Sequence, residues 1–80
     1  MVSIFVNMKS NLLIKEKQRL AAKLYQTRNE LGIKQTDLAK EGIISQSQLS
    51  KIENAESNIS AVLLNVLAKR YGKDLSYFFE

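Results

Sequence analysis

The sequence of 80 residues contains no cysteine and no histidine. Without cysteine, the chain can form neither a disulfide nor a thiolate metal site. Without histidine, it lacks the side chain that most often serves as a general base or a metal ligand near neutral pH. Catalysis would have to rest on eight scattered Asp and Glu residues that form no obvious pair. We therefore predict that the protein is not an enzyme and that it uses no metal or other cofactor.

Long apolar runs are also missing, since no stretch approaches the roughly 20 residues that a membrane-spanning helix needs. The start, MVSIFVNMKSNLLIK, has a short apolar run but no basic stretch before it and no small-residue cleavage site. A secretory signal would show both features. These observations favour a cytoplasmic protein that does not bind a membrane.

The charge is positive overall, with a net value of +4 and a pI near 9.5. A basic balance favours anionic partners such as nucleic acid, although many soluble proteins are mildly basic. The excess of positive charge lies in the first 31 residues. These contain only two acidic residues, Glu16 and Glu30, and six basic ones: Lys9, Lys15, Lys17, Arg19, Lys23 and Arg28. With 45% hydrophobic residues, the chain suits one small domain.

Proline is absent, and the three glycines divide the chain. Apolar residues at three- and four-residue spacings predict an all-α fold of about five helices. We place these helices at residues 10–31, 35–40, 46–54 and 61–71, with a short last helix from residue 73 or 74. Residues 3–7, SIFVN, give the strongest strand signal, and we leave a strand, an arm and disorder open for them.

Helix ends and core positions follow from the same pattern. Ser45 and Ser60 are good N-caps, and Gly32 and Gly72 suit the left-handed position that follows a helix. Lys34 is a poorer cap for the second helix. The positions expected to face the core are Leu38, Ala39, Leu49, Ile52, Ala61, Leu64, Leu67, Ala68, Tyr71, Leu75, Phe78 and Phe79.

Two short helices joined by a tight turn have a helix-turn-helix outline, which many small all-α domains share. More specific motifs accompany it: LGIKQTDLA at 31–39, a serine-capped helix ending in LSKIEN at 49–54, and LAKRYG at 67–72 before a last apolar helix. With these motifs, the segment from about Leu24 to Phe79 resembles the helix-turn-helix domain of Xre/Cro/cI transcription regulators. GIISQSQLSKIENAES at 42–57 is most similar to peptide-pheromone sensors of the Rgg/PlcR/PrgX kind.

The resemblance implies a lambda-repressor-like domain that binds operator DNA and regulates transcription. We expect the protein to be a repressor. Residues 20–80 would form the DNA-binding domain. Residues 1–19 would be an N-terminal extension, either the start of the first helix or an arm. Antitoxins use the same fold to bind a toxin as well as DNA, so a protein-interaction module is the alternative.

In such domains the second helix of the pair enters the major groove. The resemblance places the base-reading positions on Gln46, Ser47, Ser50 and Lys51, on the face away from the apolar residues of that helix. Gln matches adenine, Lys matches guanine, and Ser can donate or accept. The alternative is that these are ordinary solvated side chains. The phosphate-contacting candidates are Gln35, Lys34, Ser45, Gln48, Asn54 and Asn58.

Several further features follow from the resemblance or depart from it. Glu53 should form a structural ion pair with Arg28, and Gln35 resembles a family glutamine that braces the first residue of the groove-binding helix. The turn glycine, Gly42, stands one residue early. Ala55 and Ile59 replace the glycine and proline that are usual at these places.

Apolar residues outside the expected core predict a further surface. Val62, Leu63 and Val66 face away from the core stripe of the fourth helix, and the first 19 residues contain Val2, Ile4, Phe5, Val6, Leu12, Leu13 and Ile14. Either these two groups cover each other, or they form a homodimer interface, or they bind an effector domain or a partner protein. Of these, we predict a homodimer.

Overall fold

The computed structural model describes residues 2–80, with side chains from residue 11 onward. It contains α1 (Val2–Glu30), α2 (Gln35–Lys40), α3 (Gln46–Glu53), α4 (Ala61–Arg70) and a final 3-10 helix, η1 (Leu75–Phe79). Within residues 2–80 there is no strand. The prediction of an all-α fold with about five helices is confirmed.

Helix α1 begins earlier than predicted. Residues 3–7 belong to it, so the strand considered for SIFVN is wrong. No proline or glycine interrupts the chain before residue 32. Once a helix has formed, each added residue gains a hydrogen bond and costs little further free energy. The helix also continues without a break across residues 19 and 20. The apolar side chains predicted at Val2, Ile4, Phe5 and Val6 lie outside the described side chains.

Side chains cap the shorter helices. Ser45 Oγ accepts a hydrogen bond from the Gln48 N–H of α3 at 3.2 Å, and Ser60 Oγ accepts one from the Leu63 N–H of α4 at 3.1 Å. At α2, a lysine side chain has no acceptor to offer. The Asp37 carboxylate instead accepts a hydrogen bond from the Lys34 N–H at 2.8 Å. The acid in the first turn of α2 therefore compensates for the poor cap that precedes it.

The core lies where α1 packs on α3 and η1, with α2 against α3 and α4 against η1. Its largest fully buried apolar side chains come from every one of these elements: Leu24, Leu38, Leu49, Leu67 and Phe78. Each buried leucine or phenylalanine contributes on the order of 2 kcal/mol. This core fixes the orientation of α3 relative to the rest of the domain.

Four predicted core positions are wrong, because Ala39, Ala61, Leu75 and Phe79 are exposed. Neighbouring helical residues point about 100° apart. Leu38 occupies the centre of the inward face of α2, which leaves Ala39 outside. In η1, a tight helix with three residues per turn, only Phe78 is buried among the three predicted positions.

The molecule is elongated, with extents of 49 × 24 × 21 Å. Helix α1 causes this shape, since 29 residues at about 1.5 Å each make it longer than the domain is wide. The first described side chains of α1 are largely exposed, with 61% exposure for Leu12, 72% for Leu13 and 51% for Ile14. Among the described residues, no helix is long and apolar enough to cross a membrane.

Candidate nucleic-acid interface

Helix α3 divides into a buried side and an exposed side. Leu49 and Ile52 are buried, at 0% and 3% exposure, and anchor the helix to the core. On the other side lie the predicted base-reading residues, of which Gln46, Ser47 and Lys51 are exposed and Ser50 is half-buried. The Asn54 side-chain amide donates to Ser50 Oγ at 3.4 Å. These four residues, which we call the polar edge, carry a single formal charge at Lys51.

The last residue of α3 is held by a buried ion pair. Arg28 Nε donates to Glu53 Oε2 at 2.7 Å, and Arg28 Nη2 donates to Glu53 Oε1 at 2.9 Å. The side chains are only 7% and 2% exposed. The hydrogen bonds to Glu53 raise the pKa of Arg28, so the guanidinium stays charged. Two parallel hydrogen bonds of this kind fix orientation as well as distance.

Two further contacts complete this pair. Arg28 Nη1 donates to the Ile33 carbonyl oxygen at 2.8 Å, which ties α1 to the turn before α2. Gln35 Nε2 donates to Glu53 Oε1 at 2.9 Å. The Gln35 amide thus braces the end of α3, whereas the resemblance placed its partner at the first residue of that helix. As a result, α1, α2 and α3 meet at one carboxylate.

The predicted phosphate-contacting residues lie at three places in the chain. Lys34 and Gln35 lie at the start of α2, while Ser45 and Gln48 lie at the start of α3. Asn54 and Asn58 follow α3, and both are exposed. All of the six except Gln35, which is half-buried, have exposed side chains.

The turn between α2 and α3 adopts the expected compact form despite the early glycine. Gly42 has φ of 75°, a left-handed value that costs a glycine little. The Ile43 N–H then donates to the Leu38 carbonyl oxygen at 3.1 Å. Gly42 therefore ends α2 where it stands, and Ser45 follows at the right distance to cap α3.

The loop after α3 contains a non-glycine residue in a left-handed backbone conformation. Ala55 has φ of 60°, so it occupies the left-handed position where the resemblance leads one to expect glycine. For a residue with a Cβ, this conformation costs roughly 1–2 kcal/mol. Backbone hydrogen bonds from Ala55 and Glu56 to carbonyl oxygens of α3 hold the loop in this form.

A surface ion pair that the sequence did not indicate joins the turn to α4. Arg70 Nε and Nη2 donate to the two carboxylate oxygens of Glu41 at 2.6 and 2.8 Å. This pair lowers the pKa of Glu41 and raises that of Arg70. Both side chains are more than one-third exposed, so water screens the attraction. No sequence pattern relates two residues this far apart.

A buried tyrosine lies close to the Arg28–Glu53 pair. Tyr71 is 3% exposed, and its hydroxyl has no hydrogen-bond partner among the described residues. Burial, with the nearby Glu53 carboxylate, raises the pKa of Tyr71 to about 12. The phenol is therefore neutral at physiological pH and serves the core through its ring, which tilts against Phe78 at 6.4 Å.

The apolar surface predicted on α4 is only partly exposed. Val62 is 77% and Val66 40% exposed, but Leu63 packs against the core. Leu12, Leu13 and Ile14 are exposed at the same time. The described part of the extension and the α4 valines therefore do not cover each other.

Comparison with known proteins gives a family. The family model described as helix-turn-helix matches residues 24–78, which is more than half of the chain. No curated protein and no solved structure matches the chain. The matched family consists of DNA-binding regulators that are typically not enzymes. Together with the α2–turn–α3 arrangement, this match shows that the chain belongs to the Xre/cI-type helix-turn-helix family.

Proposed function

We propose that the protein is a sequence-specific transcription regulator, a repressor acting in the cytoplasm, and that α3 enters the major groove of its operator. The observation that supports this most is the division of α3 into a buried side, a clamped end and a polar edge. Gln46, Ser47, Ser50 and Lys51 combine donors and acceptors with little charge, as base recognition requires. Arg28 and Glu53 hold the helix and do not touch DNA.

Phosphate contacts come from residues on either side of the polar edge. Lys34, Ser45 and Gln48 lie at the starts of α2 and α3, and Asn54 and Asn58 lie after α3. Backbone N–H groups and polar side chains at such helix starts bind phosphate oxygens and fix the register on the duplex. Gln35 shares its amide between Glu53 and a phosphate, which couples DNA binding to the interior of the domain.

Salt dependence tests this mode of binding. Each phosphate that the protein neutralises releases counterions, so affinity for the operator falls steeply between about 50 and 200 mM salt. Fluorescence anisotropy with a labelled duplex from upstream of the coding region measures this slope. A flat profile over the same range would contradict docking in the groove.

We further propose that the regulator is a homodimer, because the exposed apolar side chains Leu12, Leu13 and Ile14 remain on α1. In helix-turn-helix dimers the two recognition helices reach half-sites about 34 Å apart. An effector domain, as in the peptide-pheromone sensors that residues 42–57 resemble, would control binding from the same exposed surfaces. A reading frame that continues past Glu80 into such a domain would support this last point.

The alternative is an antitoxin-like module, favoured by Val62 and Val66, which are exposed one turn apart on α4. This alternative predicts a stable complex with the product of a neighbouring gene. If size-exclusion chromatography shows that complex while gel shifts at about 50 mM salt show no binding of the upstream DNA, the regulator proposal is wrong.

A further inference from the structure

The apolar stripe of α1 that faces the core continues past the end of the domain. Leu13, Leu20 and Leu24 are seven and four residues apart, which places them on one side of the helix. Leu24 is fully buried, Leu20 is half-buried against the core, and Leu13 is 72% exposed. The same side of α1 is thus buried near the C-terminal end of the helix and exposed toward its N-terminal end.

A groove lies where the buried part of this stripe of α1 ends. It has a volume of about 280 Å³, and its apolar lining consists of Leu20, Ile52, Ile59, Phe78 and Phe79. Phe79 is 60% exposed, so much of its ring faces solvent. Glu16, Lys17 and Arg19 of α1 also line the groove. The groove therefore offers an apolar floor with charged side chains of both signs.

We propose that a second copy of this chain occupies the groove, with the two α1 helices antiparallel and the two-fold axis between Glu16 and Lys17. In this arrangement Leu13 of each copy lies opposite Leu20 of the other and enters its groove. A two-fold interface needs a surface that complements itself. Helix α1 meets this requirement, because one segment supplies both the exposed leucine and the groove.

The charges of α1 support the same register. With the axis between residues 16 and 17, Glu16 of one copy faces Lys17 of the other, and this contact occurs twice. Among the described side chains, Glu16 makes one ion-pair contact, a long one of 4.0 Å to Arg19, and both side chains are more than half exposed. Glu16 is therefore free to pair across the axis. A parallel pair would instead place like residues side by side.

The inference deepens the homodimer of the proposed function, and its test needs no DNA. Sedimentation equilibrium of the full chain should show a monomer–dimer equilibrium. Leu13→Asp should make the chain monomeric over the same concentrations, with its helical circular dichroism unchanged because Leu13 is exposed in the single copy. The matched control, Val62→Asp, alters an equally exposed side chain on α4 and should leave the dimer intact.

Charge reversal tests the register. Glu16→Lys alone puts two lysines together, and Lys17→Glu alone puts two glutamates together, so each should raise the dimer dissociation constant by roughly tenfold or more. The double variant Glu16→Lys/Lys17→Glu restores opposite charges and should restore the dimer. Single variants without effect, or a double variant as weak as the singles, would overturn the antiparallel register.

Two other results would overturn the interface itself: a wild-type chain that stays monomeric, or a dimer that Val62→Asp breaks and Leu13→Asp does not. The DNA result is separate. The monomeric variants keep the polar edge and should still bind an isolated half-site weakly. A clean dimer that binds no DNA would contradict the proposed function and not the interface.

Discussion

The two ends of helix α1 carry the same kind of stripe in opposite environments. From Leu20 to Glu30 the helix packs against α3 and η1, and Arg28 reaches the carboxylate of Glu53. Further toward its N-terminus, the side chains of Leu12, Leu13 and Ile14 are instead mostly exposed. The difference shows that an apolar spacing predicts a helix and its inward side, but not whether another element covers that side.

The largest effect should come from the Arg28–Glu53 pair. Arg28→Ala leaves the Glu53 carboxylate buried without its cation and removes the hydrogen bond to Ile33. Breaking one partner of a buried pair costs about 3–5 kcal/mol, which is a large share of the stability of a small domain. Urea denaturation followed by circular dichroism measures the loss.

The matched control is Arg70→Ala, which removes the other bidentate arginine–carboxylate pair. Its charges are exposed, so the unfolding midpoint should change little. Equal losses for the two variants would show that burial does not distinguish the pairs, and the structural role assigned to Arg28 would then be wrong.

The leucines of the stripe give the second prediction. Leu24→Ala opens a cavity in the core and should cost about 2–5 kcal/mol. Leu13→Ala removes a side chain that is 72% exposed and should change the stability of the single copy by less than about 0.5 kcal/mol. Thermal unfolding at a dilution where the chain is monomeric tests the pair, and a large loss for Leu13→Ala would contradict the projecting helix.

Tyr71 gives the third and smallest prediction. The folded-state pKa of Tyr71, about 12, lies above the ordinary value of 10.0, so the folded state holds the phenol proton more tightly than the unfolded chain does. The stability linked to this proton is fully present below pH 10 and is lost as the pH rises toward 12. Tyr71→Phe removes this dependence. It also removes a buried hydroxyl without a partner, which should stabilise the domain by about 1 kcal/mol at neutral pH.

Unfolding curves of the wild type and Tyr71→Phe at several pH values check both effects. The advantage of phenylalanine should grow between pH 10 and pH 12. A less stable Tyr71→Phe variant at neutral pH would contradict this expectation and would mean that the hydroxyl has a hydrogen-bond partner.

Much of the fold could be predicted from local patterns. The caps Ser45 and Ser60 and the glycines after α1 and α4 gave the helix ends, because capping depends on neighbouring residues alone. Positions such as Ala39 and Phe79 were wrong, since burial depends on which element packs where. The strand considered for residues 3–7 failed because local β-propensity competes with a helix that propagates from its neighbours.

The site was predictable in part for the same reason. The resemblance indicated Arg28 and Glu53 as partners, and the structure joins them. It did not indicate that Gln35 donates to Glu53 or that Arg70 pairs with Glu41, because both contacts depend on how distant segments meet. The assignment of Gln46, Ser47, Ser50 and Lys51 to base recognition stays a prediction, as does the division of the chain at residue 20.

The central claim, that the polar edge of α3 reads bases, is tested most directly by selecting bound sequences from a random duplex library. Wild type should enrich a defined motif. Gln46→Ala should lose preference at one base pair, a cost of about 1–3 kcal/mol there, while Gln26→Ala, an exposed glutamine of α1, should leave the motif unchanged. If Gln46→Ala weakened binding equally for all sequences, or wild type enriched no motif, the claim would be contradicted.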